Sequence, residues 1–122
     1  MRLRSDIWAA AYLRRVAVEG AFAALRRRGA PEAGAIFVKV DRLDGTAALF
    51  EPAPQSEVAE RGVERRWARA HAQEWVEGAV VEARIGREIG FDPDLWLIEV
   101  EDRQGRCWLD LAGPEPESWS GR

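Results

Sequence analysis

FDPDLWLIEVEDRQGRCWLD, residues 91–110, is the stretch of this chain that predicts the fold most directly. Residues 95–100, LWLIEV, combine β-branched, aromatic and aliphatic side chains, a composition typical of a strand. Residues 102–105, DRQG, supply turn chemistry, because Gly105 can adopt a positive φ at the fourth turn position. Residues 107–109, CWL, would then return as a second strand. We therefore predict a β-hairpin at the centre of the core.

A second hairpin is predicted at residues 34–50. Ile36, Val38 and Val40 alternate with residues of the opposite face, and a period of two indicates a strand. The sequence RLDG then supplies a turn, and TAALF returns as the partner strand. The chain thus contains two strand–turn–strand patterns, one in each half.

The N-terminal part of the chain is ambiguous between strand and helix. A wheel drawn for residues 6–28 as one helix places large apolar side chains on all sides. We therefore predict a buried strand at residues 6–14, covered on both faces, followed by a helix at residues 19–28. Three arginines in its last turn would complement the helix dipole, and Gly29 would end it.

The second half is predicted to begin with a short strand at residues 64–70, with Trp67 facing the core. A helix follows at residues 73–89, and its apolar residues form two stripes, so two different surfaces should cover it. Residues 51–63, EPAPQSEVAERGV, carry two prolines and few large apolar side chains, which is typical of a loop between halves.

Shifting the chain against itself by 60 residues superposes the two predicted hairpins without a gap. Gly45 falls on Gly105, and the apolar positions of the strands coincide. The two predicted helices coincide as well. The pattern allows an internal duplication of one strand–helix–strand–strand unit, which predicts that residues 6–50 and 66–110 superpose in one topology.

Length and composition predict one globular domain. A chain of 122 residues that is 47% hydrophobic and 32% charged can bury a core without metal or disulfide staples. We place this domain at residues 1–111, with halves at 1–61 and 62–111, and expect a disordered tail at 112–122. The predicted fold class is α+β: a single two-layer domain with a mostly antiparallel sheet and two helices.

Neither secretion nor membrane insertion is predicted. The N-terminal apolar run is broken by arginines, and no 18 consecutive residues are apolar. Cys107 is the lone cysteine, which excludes an internal disulfide and suits a reducing compartment. The expected location is the cytoplasm. No phosphate-binding loop or dinucleotide-binding motif occurs, so we predict no cofactor.

Carboxylates near the second hairpin raise the alternative of metal-dependent hydrolysis. Asp92, Asp94 and Glu99 could supply oxygen ligands to Mg²⁺ or Ca²⁺. Their spacing matches no calcium loop, and solvent exposure is the commoner reason for acids on a strand. Cys107 beside Trp108 fits a buried apolar residue better than a nucleophile, and nothing in the sequence pairs it with His71.

Arginines near the N-terminus raise the alternative of anion or nucleic-acid binding. Guanidinium groups bind phosphate as a planar fork, and the neighbouring rings of Trp8 and Tyr12 can stack on bases. The candidate residues are Arg4, Arg14, Arg15, Arg26, Arg27 and Arg28. The net charge of −3 and the spread of these residues over several faces favour a solvated surface instead.

Tryptophan is the residue type that points to a partner. Trp75, Trp96, Trp108 and Trp119 exceed what one small core needs, and tryptophan is enriched in interface hot spots. Trp75, Trp96 and Trp119 are therefore candidates for a partner-binding surface. The alternative is that these rings simply fill the core. The two-sided helix at residues 73–89 also needs a second cover, which a homodimer or another protein would supply.

Three motifs of the chain are distinctive: RSDIW (residues 4–8) with YLRR (12–15), AGAIFVKV (33–40) and FDPDLW (91–96). In these motifs the chain resembles a family of small bacterial proteins known as domain of unknown function 1491. The resemblance covers about residues 2–110 and implies an intact single domain, found chiefly in alphaproteobacteria. It implies no activity, cofactor or site residues.

The sequence therefore favours a non-catalytic module that binds a protein or a small ligand. Binding of anions or nucleic acid is the second reading, and metal-dependent hydrolysis of a substrate or nucleic acid is the third.

Overall fold

The computed structural model describes residues 3–54 and 65–112. Their elements follow one another in the order α1, β1, β2, β3, β4, β5, α2 and β6. The bounds are α1 Ser5–Val18, β1 Phe22–Arg27, β2 Ile36–Asp41, β3 Thr46–Pro52, β4 Trp67–Arg69, β5 Val76–Glu77, α2 Gly78–Phe91 and β6 Trp96–Glu101. The chain is thus an α+β protein, as its sequence predicts.

One mixed sheet joins the strands of the described residues in the order β1-β6-β2-β3-β4, and β5 pairs with β3 beside β4. The pairing of β2 with β6 is parallel. The pairings β1–β6, β2–β3, β3–β4 and β3–β5 are antiparallel. The prediction of a mostly antiparallel sheet is confirmed, and β6 lies at its interior between β1 and β2.

Each face of the sheet carries one helix. On one face, Ala9, Tyr12 and Val16 of α1 pack against alternate residues of the strands, including Val38 and Ile98. On the opposite face, Val81 and Ile85 of α2 pack against Phe37, Leu49 and Leu97. The predicted two-layer arrangement is therefore wrong, because the two faces of the sheet are covered by different helices and the layers number three.

The N-terminal prediction is wrong in both of its elements: residues 5–18 form a helix, and residues 22–27 form a strand. α1 buries Ser5, Ala9, Tyr12 and Val16, which recur at steps of four, three and four and form one stripe. Two of these four residues are small, so a search for large apolar side chains misses the stripe. In β1, pairing with β6 overrides the helix propensity of its alanine and arginine residues.

Gly29 does not end a helix. Its Cα lies against the backbone of Asp94 and Leu95, where a Cβ would collide with the Asp94 carbonyl oxygen. The helix that precedes β1 ends instead near Gly20, which has a φ of 87°.

Residues 91–110 contain one strand, β6, rather than a hairpin. The turn is present, since the Gly105 amide donates to the Asp102 carbonyl at 2.9 Å. The chain does not return along β6, because both edges of β6 are already paired. Residues after the turn run to the edge of the sheet formed by β4, where Leu111 pairs with Trp67.

The proposed duplication fails on topology. Residues 6–50 run helix, strand, strand, strand, whereas residues 66–110 run strand, strand, helix, strand. The shift of 60 residues nevertheless matches a physical register, because it is the offset of every residue pair between β2 and β6, from Ile36↔Trp96 to Asp41↔Glu101. The two segments resemble each other because both are interior strands that lie side by side.

The remaining predictions hold in part. The second hairpin is confirmed as β2 and β3, and the short strand with Trp67 facing inward is confirmed as β4. The second helix begins at Gly78 rather than at residue 73 and continues to Phe91. Most of the loop predicted at residues 51–63 lies outside the described residues. No helix of the described part is long and apolar enough to cross a bilayer.

Candidate functional site

A trough lies along α1, between this helix and the segment that follows β6. Its deepest part is a cavity of about 360 Å³ lined by Leu3, Trp8, Arg65, Trp67, Trp108 and Asp110. One shallower depression shares Trp8 and Trp108 with it and extends to Tyr12 and Arg15. Another shares Leu3 and Arg65 and extends to Arg4 and Glu32. We call this continuous surface the aromatic trough.

Three rings form a column along one wall of the aromatic trough. The ring of Trp8 stacks on that of Tyr12, with centroids 4.9 Å apart and planes at 13°. Trp8 also contacts Trp67, at a centroid distance of 4.6 Å. The spacing of Trp8 and Tyr12 at four residues places both on one face of α1. The column therefore joins the helix to the sheet through aromatic contacts.

Hydrogen bonds fix the orientation of two of these rings. The Tyr12 hydroxyl donates to the Cys107 carbonyl at 2.6 Å, and the Trp67 indole N–H donates to the Ile36 carbonyl at 2.9 Å. Burial raises the pKa of Tyr12 well above its ordinary value, so the hydroxyl remains a donor. The wall is thus preorganised rather than assembled by a ligand.

Trp108 forms the opposite wall on an unusual backbone. Its φ of 52° lies in the left-handed region, which side chains other than glycine rarely adopt. The guanidinium of Arg106 lies 4.9 Å from the ring centroid of Trp108 and is held by a two-pronged ion pair with Asp102. These contacts hold the ring at the mouth of the trough.

Arg65 supplies a fixed positive charge to the trough. Its guanidinium donates to the Leu3 carbonyl at 2.9 Å and to the Ser5 hydroxyl at 3.0 Å. The Ser5 hydroxyl in turn donates to the Gly34 carbonyl at 2.6 Å. Arg65 is only 8% exposed, so its position is set by the fold rather than by solvent.

Two donors in the aromatic trough are not used by the described part of the chain. Within residues 3–54 and 65–112, the indole N–H groups of Trp8 and Trp108 donate no hydrogen bond. Trp67, by contrast, uses its indole N–H inside the core. The trough therefore offers apolar ring surface together with two indole N–H groups that no described residue accepts.

A second polar cluster lies on the opposite face of the sheet, beneath α2. Arg26 binds Glu82 with both of its terminal nitrogens, at 2.7 and 3.0 Å, and Glu99 at 3.0 Å. The Nζ of Lys39 lies 2.6 Å from Glu82 and 3.6 Å from Glu99. We call these four residues the charge cluster. Its two cations and two anions balance, and its hydrogen bonds lower the pKa of Glu82 to about 2.

The tryptophans predicted to bind a partner lie in different surroundings. Trp96 is 1% exposed and donates its indole N–H to the Ala30 carbonyl, so its ring lies in the core. Trp75 is half-buried, with the guanidinium of Arg42 at 4.1 Å from its ring centroid. Trp119 lies outside the described residues. None of the three lines the aromatic trough as far as it is described.

The predicted anion-binding arginines do not converge. Arg4 and Arg15 stand at opposite ends of the aromatic trough, and Arg14 is exposed on α1. The other three arginines lie at the end of β1 or just after it, and each has a different contact. Arg26 belongs to the charge cluster, Arg27 donates to the Pro93 carbonyl, and Arg28 lies over the ring of Trp96. Their placement gives no single phosphate-binding surface.

The candidate metal ligands are also separated by their own contacts. The Asp92 carboxylate accepts the Asp94 amide in a local turn, whereas Glu99 lies in the charge cluster. In the described part of the chain, no three histidine, cysteine or acidic residues are grouped closely enough to hold a metal ion. The arrangement does not support metal-dependent hydrolysis by these three residues.

His71 and Cys107 both contribute to the fold, His71 through hydrogen bonds and Cys107 through core packing. The Nε2 of His71 accepts the Leu49 amide at 3.0 Å, and its Nδ1 lies 2.8 Å from the Gln73 carbonyl. Nε2 is therefore the unprotonated nitrogen, and the ring fills the gap on β3 between its pairings with β4 and β5. Cys107 packs against the core on the α1 face, and burial raises the pKa of its thiol.

Sequence reasoning considered Trp8 for stacking on bases and Trp108 for partner binding, but it did not group the residues that line the deepest cavity. Trp8, Trp67 and Trp108 come from α1, β4 and the segment after β6, which lie far apart along the chain. No local pattern joins them, because the trough exists only once α1 packs beside that segment. The excess of tryptophan was the one available signal, and it did not identify which rings share a surface.

Comparisons with known proteins agree on one family. The model of the family described as "Protein of unknown function (DUF1491)" matches residues 3–110. No curated protein matches the chain.

Three solved structures are similar along nearly the whole chain. A crystal structure of a DUF1491 family protein from Caulobacter crescentus has 37% identity and a TM-score of 0.74, and covers 93% of this chain and 100% of its own. A solution structure of a protein from A. tumefaciens has 40% identity and a TM-score of 0.78, with coverages of 94% and 98%. An NMR structure of a C. crescentus family protein has 39% identity and a TM-score of 0.76, with coverages of 93% and 99%. With a family model that spans residues 3–110 and relatives of this similarity, the chain belongs to the DUF1491 family.

Proposed function

We propose that the chain is a non-catalytic protein-interaction module that binds a short extended peptide in the aromatic trough. The observation that carries the proposal is that one concave site combines ring surface with two indole donors that residues 3–54 and 65–112 do not use. Recognition sites commonly combine an apolar lining with a few fixed polar groups. Tryptophan presents both properties in one side chain at low entropic cost.

The shape of the trough supports a peptide rather than a compact ligand. From Arg4 to Arg15 the chain rises roughly 16 Å at the helical value of about 1.5 Å per residue. An extended peptide of about five residues has the same length at about 3.3 Å per residue. The depressions at both ends of the cavity would hold the ends of such a peptide.

The chemistry of the trough supports binding rather than catalysis. Tyr12 and Cys107 both have raised pKa values, so neither is a ready nucleophile or base at neutral pH. Asp110 lies 3.8 Å from Arg66 and has no partner base in the described lining. A cytoplasmic location and a homodimer stay predictions.

Selection of random peptides on the immobilised chain tests this function. Peptides enriched on the native protein should bind the Trp108→Ala variant at least tenfold more weakly. Trp75→Ala is the matched control, because it removes a half-buried tryptophan outside the trough and should leave binding unchanged. Circular dichroism confirms that each variant is folded. Equal binding to the native and Trp108→Ala proteins would refute the proposal.

A further inference from the structure

We propose that the peptide held by the aromatic trough is an acidic, proline-containing segment of a partner protein in the polyproline II conformation. This inference rests on the proposed function and names the chemistry of its ligand. It follows from two features of the trough: its backbone groups at Trp67 are already paired, and its side chains provide hydrogen-bond donors and positive charge.

The wall formed by Trp67 offers no strand edge to a ligand. The Trp67 amide donates to the Asp110 carbonyl at 3.0 Å, and the Trp67 carbonyl accepts the Ala112 amide at 2.9 Å. A ligand therefore cannot add a strand there, because both backbone groups are already paired. Recognition at this wall must come from side chains.

The available side-chain groups suit a polyproline II ligand. Such a helix makes no internal hydrogen bonds, and its exposed carbonyls need donors. The indole N–H groups of Trp8 and Trp108 can supply them, as tryptophan does in aromatic grooves that bind proline-rich segments. Proline rings are rigid and apolar, so they pack on indole faces without ordering a flexible side chain. Arg4 and Arg15 span the length of about five residues at about 3.1 Å each.

The charges around the trough favour acidic residues between the prolines. Arginines stand at both ends, with Arg15 at one end and Arg4 and Arg65 at the other. Two carboxylates also line it, and each has a cation beside it: Glu32 lies 3.5 Å from Arg4, and Asp110 lies 3.8 Å from Arg66. Arg4 also lies 3.2 Å from Asp6, and Arg15 lies 3.6 Å from Glu19. Exposed ion pairs of this kind contribute little to stability, so glutamates spaced along a ligand can exchange with them and bind the arginine forks at both ends.

Titration of the ¹⁵N-labelled protein with a synthetic peptide, followed by NMR, tests the inference. The probe is acetyl-PEPEPEP-amide, and the readout is the indole N–H resonance of each tryptophan. The signals of Trp8 and Trp108 should shift saturably, whereas those of Trp75 and Trp96 should not. Trp108→Phe, which keeps a ring but loses the donor, should weaken binding about tenfold, the effect of one hydrogen bond. Arg15→Ala should weaken it severalfold and reduce its salt dependence.

Two control peptides separate the parts of the inference. Equal binding of acetyl-PKPKPKP-amide would overturn the charge requirement, and equal binding of acetyl-SESESES-amide would overturn the proline requirement. The same titration is made with a chain that ends at Ala112, because residues 113–117, GPEPE, share the chemistry of the probe.

Shifts that appear only in the shorter chain would support the inference and identify the chain's own segment as a competitor. Absence of shifts in both chains would overturn it. If the probe fails while selected peptides still require Trp108, the proposed function stands and only its ligand chemistry is wrong.

Discussion

The ammonium of Lys39 lies 3.6 Å from the carboxylate of Glu99, the residue directly beside it in the parallel pairing of β2 with β6. Lys39 is a buried lysine, with a side chain only 8% exposed beneath α2. Burial of an ammonium is costly unless carboxylates hold it. The charge cluster therefore joins α2 to three strands through Glu82, which binds both Lys39 and Arg26.

Glu82→Gln should destabilise the fold. The substitution removes the carboxylate that lies closest to Lys39 and leaves two cations facing Glu99 alone. Since Glu82 is itself partly exposed, the loss should be about 1–2 kcal/mol in the free energy of unfolding, below the value for a fully buried pair. Urea denaturation measures it. Lys39→Met is the matched variant, and it should cost less because it removes the buried charge itself. A Lys39→Met loss larger than that of Glu82→Gln would contradict this account.

Stability should also fall in acid through Glu82. Its pKa is lowered from 4.5 to about 2, because Arg26 and Lys39 bind the ionised carboxylate. A lowered pKa in the folded state gives stability that is complete above the unfolded pKa and is lost as the pH falls through the folded pKa. The loss should therefore appear between about pH 5 and pH 2.

Thermal unfolding at a series of pH values measures this acid dependence. The Glu82→Gln variant supplies the control, because it has no carboxyl group to titrate at this position. Its stability should change less than that of the native protein over the same interval. Parallel curves for the two proteins would show that Glu82 is not the source of the acid dependence.

His71→Ala should loosen β3 at one position. The Nε2 of His71 is the acceptor for the Leu49 amide, in the gap between β4 and β5. Loss of that acceptor leaves a buried N–H unpaired, which costs about 1–3 kcal/mol. Hydrogen exchange of the Leu49 amide should accelerate more than that of its neighbours. His71→Gln should restore much of the protection, because a glutamine oxygen can reach the position of Nε2. Unchanged exchange at Leu49 in the alanine variant would refute the role of His71.

An element could be predicted from the sequence when the residues that define it lie close together in the chain. The hairpin of β2 and β3 was predictable because alternation and turn residues lie within one short segment. α1 was missed because its buried stripe includes Ser5 and Ala9, and β1 was missed because its pairing partners lie 70 to 79 residues away in the sequence. The aromatic trough was beyond prediction for the same reason, since its walls meet only in the folded chain.

Gly29 and Gly34 should tolerate no side chain, although neither has a positive φ. Both lie against the backbone just before β6, where an added Cβ would collide with the Asp94 carbonyl oxygen. Backbone atoms cannot move aside as a flexible side chain can, so Gly29→Ala and Gly34→Ala should each lower the free energy of unfolding by about 2 kcal/mol or more. Gly86→Ala is the matched control. It lies in α2 with open space around its Cα, and alanine there should raise stability by about 0.5–1 kcal/mol through helix propensity. Chemical denaturation of the three variants measures the contrast. A stable Gly29→Ala or Gly34→Ala protein would show that the segment before β6 can shift, and that the close approach does not fix the position of β6.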